Sequence, residues 1–193
     1  MLTIFLVRHG ETSYNKNDVC QGQSNIPLNE TGKNSAILLG KNFKNNNIAI
    51  DYFYSSPLSR AIDTARYIEN ELNVNQEIIV DNRFIERDFA SLEGIDVKLV
   101  KQITINKEKL RQLDGYESDE SVGKRFNEAI IDLTKRYQNK TILVASHSHA
   151  IKCFLMRLEP TKYTILTVLK NTNVTKIVFD DQKIFIDKFN YFS

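Results

Sequence analysis

Six side chains in this sequence could do chemistry together: Arg8 and His9 in LTIFLVRHGETSYN, Arg60 in SSPLSRAIDTA, Glu86 and Asp88 in FIERDFASLEG, and His147 in TILVASHSHAIK. An arginine offers a planar fork of donors that matches phosphate oxygens, and it keeps its charge at any working pH. A neutral imidazole is a competent nucleophile toward phosphorus, and a covalent phosphohistidine splits one hard displacement into two easier ones. The leaving oxygen then needs an acid, and either Glu86 or Asp88 could protonate it and later activate water. His9, His147 and His149 are all the histidines the chain has and could instead be read as metal ligands. Two arginines beside them would repel a cation, so no metal and no cofactor is expected. Ser13 and Ser146 lack the setting of a nucleophile elbow. Asp88 and Glu93 read equally as solvated loop carboxylates, and Tyr52, Phe53 and Tyr54 as core.

These residues are far apart in sequence, so a fold must gather them. A buried strand is expected at Leu2 to Val7, and a helix from Thr31 with Ala36, Leu38, Leu39 and Phe43 on one face. A strand follows in DYFYSS, then a helix with Pro57 in its first turn and Leu58, Ile62, Ala65 and Ile68 inward. EIIV reads as a short strand, the stretch through Leu110 as weakly helical, and Glu120 to Tyr137 as an amphipathic helix. TILVAS is apolar enough to be buried on both faces, Ala150 to Leu158 reads as a helix, and VTKIVFDDQKIFIDKF as a hairpin about Asp-Asp-Gln. The alternation predicts a three-layer α/β/α fold, a mostly parallel central sheet with helices on both faces, in which ligands gather at the carboxyl ends of the strands. Arg8 and His9, then Ser55, Ser56 and Arg60, then His147 all follow strands, so one rim should collect them. Arg60 would lie in a helix first turn, whose dipole favours an anion, and Gly10 would let the backbone turn close to the ligand.

Composition sets the class. A chain of 193 residues, 41% hydrophobic and 26% charged, reads as one domain over 1–193 with a small cap-like insertion around 95–115. A net charge of +2 gives no reason to expect nucleic acid or an acidic membrane as partner, so local arginines must bind any anion. No apolar run approaches the roughly 20 residues of a membrane span, and LTIFLV runs into charges without a cleavage site, which points to the cytoplasm. Cys20 and Cys153 are too few for a disulfide framework. A monomer or a homodimer is expected.

In order along the chain, LVRHGETSYN, CQGQSNIPLNETG, SSPLSRAIDTA, FIERDFASLEG, YESDESVGKRF and LVASHSHAIK resemble successive motifs of the histidine phosphatase superfamily, in its phosphoglycerate-mutase-like branch. The likeness runs from Phe5 to Lys152. It implies that His9 is the phosphorylated nucleophile and that Arg8, Arg60 and His147 hold the transferring phosphoryl group. Asn15 would hydrogen-bond it, Gln21, Gly22 and Ser148 would line its site, and Glu86 rather than Asp88 would be the proton donor. Several positions depart from the family pattern: Val19 and Asn25 replace an arginine and an aspartate, Ala90 a glycine, Ser148 and His149 a glycine pair, and Lys152 an arginine. His149 would add a titratable donor near the substrate. The mutases resembled carry a lysine where this chain aligns Val97. The resemblance therefore favours a metal-independent hydrolase of small phosphomonoesters over a phosphoglycerate mutase, with a non-catalytic phospho-ligand binder as the third reading.

Overall fold

The computed structural model describes residues 1–192. Three strands of the parallel core come from the segments read as strands above: β1 (Leu2–Arg8), β2 (Tyr52–Ser55) and β4 (Thr141–Ser146), with β3 (Ile78–Val80) beside β2. The tail adds β5 (Val174–Asp180) and β6 (Lys183–Phe189), and the order across the sheet is β3-β2-β4-β1-β5-β6. β1 to β4 pair in parallel, while β5 pairs antiparallel with β1 and then with β6. Asp181 and Gln182, at φ 45° and 61°, form the two-residue turn between β5 and β6, both in the left-handed region that such hairpins need.

Side chains alternate across β1. Leu2, Ile4 and Leu6 pack toward α6 (Asp119–Arg136) and α7 (Ser148–Leu158), while Phe5 and Val7 pack toward α2 (Glu30–Asn45) and α3 (Ser59–Leu72). Both faces of the central sheet are thus covered by helices, which is why the inner residues of β1 and β4 are mostly apolar. A four-residue helix, α1 (Ser13–Lys16), follows the first strand. No helix among the described residues is long and apolar enough to cross a membrane.

Two details differ from the sequence reading. Leu38 is 59% exposed, because the inward face of α2 is Ala36, Leu39, Gly40 and Phe43 and a residue next to Leu39 is turned about 100° away. Pro57 lies outside α3, whose N-cap is Leu58 with no capping side chain. Asn25 supplies the cap from a distance: its Oδ1 accepts from the Ser59 amide at 2.8 Å and the Ser59 hydroxyl at 2.9 Å. The segment 95–115 holds α4 (Val97–Ile105) and α5 (Lys107–Arg111). Val100 of α4 packs with Cys20, Phe89 and Leu92 in a small apolar cluster separate from the two main cores.

Register brings the rim together. Arg8 lies opposite Ser146 and Ser55 opposite Ala145, so β1, β2 and β4 end at one level. Just beyond, the His9 amide donates to the Ser146 carbonyl at 2.9 Å and the Ser56 amide to the Ala145 carbonyl at 3.0 Å.

Candidate active site

His9 leaves β1 almost wholly buried, at 2% exposure, with Nδ1 2.6 Å from the Gly10 carbonyl. A carbonyl only accepts, so Nδ1 carries the proton of a neutral ring and Nε2 keeps its lone pair. Burial, then Arg60 and Arg8, hold the pKa of His9 well below its ordinary value, so the ring is neutral at neutral pH. Gly10 serves a different neighbour from the one expected. A Cβ there would come within 2.5 Å of the Gly32 carbonyl oxygen in α2, so the close approach is to a helix rather than to a ligand. Glu11 fixes the same contact, its carboxylate accepting from Asn29 Nδ2 at 2.8 Å and its carbonyl from the Asn29 amide at 3.0 Å.

Arg60 is fully buried in the first turn of α3. Its two terminal nitrogens donate to the carbonyls of Ser24 and Gly22, each at 2.7 Å, and burial lowers its pKa to about 10. Arg8 donates to the Leu169 carbonyl, and burial likewise lowers its pKa to about 10. The Nε atoms of both arginines are buried without a protein partner, and unspent donors of this kind suit an oxyanion.

His147 is fully buried behind His9, the ring centroids 5.1 Å apart. Its Nε2 meets the Ser56 hydroxyl at 2.7 Å, and Nδ1 has no partner. Burial, then Arg60, His9, Arg8 and Arg125, hold its pKa well below 6.5. Glu86 is 6% exposed and sits over the N-terminus of α7. Oε1 accepts from the amides of Arg87 and Ala150, both at 2.9 Å, and Oε2 only from the His149 amide at 3.2 Å. Asp88 differs, since its Oδ1 is turned onto the Ala90 amide at 2.7 Å in a local turn. Geometry therefore separates two carboxylates that residue type alone did not.

A cavity of about 960 Å³ opens at this rim. Arg8, His9, Arg60 and Glu86 line its inner end, with Asn15, Gln21, Gly22 and Ser148 beside them, whereas His147 stays behind the wall. Asn15 turns Oδ1 inward, accepting from the Thr12 amide at 3.2 Å and Asn171 Nδ2 at 3.1 Å. Gln21 accepts the Thr12 hydroxyl at 2.8 Å. The family profile for the histidine phosphatase superfamily (branch 1) matches residues 4–191. The chain belongs to that superfamily. This histidine phosphatase is similar to the uncharacterized phosphatase PhoE of Bacillus subtilis, 31% identical over 198 residues that cover 98% of this chain and 95% of the relative. A 2,3-bisphosphoglycerate-dependent phosphoglycerate mutase of Bartonella bacilliformis is 27% identical over 81% of each chain. Among solved structures, a phosphoserine phosphatase mutant from Entamoeba histolytica in complex with phosphoserine is 30% identical, with a TM-score of 0.83 over 99% of this histidine phosphatase and 98% of that chain.

Three residues of the site were not found as such from the sequence. Glu93, read as a solvated loop carboxylate, accepts from the amides of Gln23 at 2.7 Å and Ser24 at 2.9 Å and from the Ser24 hydroxyl at 2.5 Å. It thereby fixes the loop whose carbonyls hold Arg60. Gly22, at φ 51°, passes so close that a Cβ would overlap the Glu93 carboxylate. Asn171 Nδ2 donates to the carbonyls of His9 and Gly10 at 3.0 and 3.1 Å. Ser56, seen only as a strand-exit serine, orients His147.

Proposed function

We propose that this histidine phosphatase hydrolyses a small phosphomonoester through a phosphohistidine on His9, without a metal or cofactor. One observation carries the reading: His9 Nδ1 is committed to the Gly10 carbonyl, which leaves Nε2 as the nucleophilic atom of a neutral ring beside the buried Arg60 and the half-buried Arg8. Nε2 attacks phosphorus while the ester oxygen departs, and the protonated carboxyl of Glu86 gives its proton to that oxygen. Glu86, now a carboxylate, takes a proton from water as the water oxygen attacks phosphorus. The N–P bond breaks, inorganic phosphate leaves and neutral His9 returns. Arg8, Arg60 and Asn15 hold the phosphoryl oxygens, His147 backs the His9 ring from behind the wall instead of lining the cavity as the resemblance implied, and Gln21, Gly22 and Ser148 shape the pocket around them.

Hydrolysis is favoured over transfer to a glycerate because Val19 and Val97 both line the cavity. At these positions an apolar side chain stands where the resembled enzymes place a cation, so a carboxylate-bearing acceptor is held poorly and water competes for the phosphohistidine. The same reading makes the protein a single-domain cytoplasmic enzyme, monomeric or homodimeric, with the 95–115 segment as its cap.

Purified protein is expected to release phosphate from 4-nitrophenyl phosphate in the presence of EDTA, and His9→Ala to lower the rate by at least about 10³-fold. Assayed beside it, interconversion of 3- and 2-phosphoglycerate should be slower than phosphate release. A wild-type rate no greater than that of His9→Ala over a broad phosphoester panel would leave a phospho-ligand binder instead.

A further inference from the structure

The cavity continues well past the phosphoryl end. Its volume of about 960 Å³ is near the top of the roughly 300–1,000 Å³ range of pockets that hold drug-sized organic molecules. Two apolar walls enclose the outer part: Val97, Val100 and Ile105 from α4, and Leu166, Val168 and Leu169 from the chain between α7 and β5. At the mouth, Ile105, Leu166 and Val168 are 78%, 76% and 69% exposed. A single exposed apolar side chain is ordinary, but three around one opening form a surface that gains by being covered.

Of the cations deeper in this outer region, one is neutralised by an ion pair and the other is tied to the chain of the opposite wall. Arg87, 3% exposed, is ion-paired with Asp119 and donates to the Tyr116 hydroxyl at 2.6 Å. Lys152, 8% exposed, donates to the Ile165 carbonyl at 2.9 Å and so ties one apolar wall to α7. Lys101 of α4 is the exposed cation that remains along the wall. A compact ligand with a second carboxylate would leave the apolar walls wet. An apolar group would dry both walls at once.

We infer that the alcohol released by this enzyme carries a bulky apolar body, which lies between α4 and residues 165–169 while its phosphate sits on Arg8, His9 and Arg60. The inference rests on the phosphatase reading and narrows its substrate class to monophosphate esters of apolar alcohols.

The n-alkyl phosphates from ethyl to hexyl test it, since their leaving groups are chemically alike and differ in apolar length. kcat/KM is expected to rise at least tenfold across the series, mostly through KM, against a ceiling of about fourfold for each fully buried methylene. Hexyl phosphate should also exceed O-phosphoserine. The double variant Leu166→Ser/Val168→Ser alters two exposed side chains, so its folding is not at issue, and it should cut the hexyl-to-ethyl ratio at least threefold. A flat or falling series, faster turnover of phosphoserine than of hexyl phosphate, or an unchanged ratio in the variant overturns the inference. If no ester is hydrolysed, the phosphatase reading fails, and calorimetric Kd values for the same series still decide: affinity that does not grow with chain length overturns the inference on its own.

Discussion

At the scale of single residues, what matters is which atom of each group is already spoken for. His9 spends Nδ1 on the Gly10 carbonyl and keeps Nε2, while Arg60 gives one N–H of each terminal nitrogen to the loop carbonyls of Gly22 and Ser24 and keeps its remaining donors for an oxyanion. Glu86 follows the same logic. Oε1 is held by two amides and Oε2 by one longer bond, which makes Oε2 the oxygen free to carry a proton. Glu86→Gln keeps a side-chain acceptor for these amides and removes the acid. It should lower kcat for an alkyl phosphate by about 10²- to 10⁴-fold, and far less for 2,4-dinitrophenyl phosphate, whose leaving group departs without a proton. Steady-state rates on the two esters check this. Equal losses on both would assign Glu86 to binding instead of proton transfer.

At the scale of elements, the site is held by helix beginnings and by one loop. α7 offers the amides that hold Glu86, α3 carries Arg60 in its first turn, and residues 21–25 link α3 to the Glu86 backbone, capping α3 through Asn25 and donating from Gln23 Nε2 to the Glu86 carbonyl. Glu93 keeps that loop in place with three accepted hydrogen bonds. Glu93→Ala leaves those donors unpaired and should destabilise the fold by about 1–3 kcal/mol while raising KM more than it lowers kcat, as urea melts and steady-state kinetics would show. A variant as stable as wild type with unchanged KM would remove Glu93 from this role. Such a role could not be read in the sequence, because Glu93 and its partners at 23 and 24 are joined only through the folded chain. Asn171 is hidden for the same reason. The strand exits, by contrast, were legible: the inner residues of β1 and β4 are mostly apolar because helices cover both faces, and polar residues at their ends can only lie on the rim. Leu38 misled because two adjacent leucines compete for one helix face, and a one-residue error in phase exposes the wrong one. The 95–115 segment was hard to read because its apolar side chains build a small cluster against Cys20 and Phe89 instead of joining the main cores.

At the scale of the whole molecule, gathering histidines and arginines on one buried rim ties stability to pH. His9 and His147 are 2% and 0% exposed, and burial, aided by Arg60 and Arg8, holds both pKa values well below 6.5. In the unfolded chain each returns to about 6.5. Below that pH the unfolded state binds more protons than the folded one, so the stability linked to these groups is complete above about pH 6.5 and is lost as pH falls toward the folded values. Each histidine removes up to about 1.4 kcal/mol per pH unit within that window. Carboxylates act elsewhere on the scale. Asp51, Asp81 and Glu117 have pKa values lowered in the fold, Asp51 through the Thr141 amide and Lys140, Asp81 through Arg83 and Glu117 through Arg125, each against an opposing burial contribution. Their unfolded values lie near 4, so their loss begins only in more acid solution. Urea unfolding from pH 7.5 to 5 should therefore show stability falling below pH 6.5, with a shallower fall in His147→Gln, which removes one of the three histidines whose pKa the fold lowers, His149 being the third. A wild-type profile that stays level between pH 6.5 and 5, or a variant that follows the wild-type slope, would mean that these histidines are protonated in the folded protein. That would also remove the neutral nucleophile on which the proposed chemistry depends.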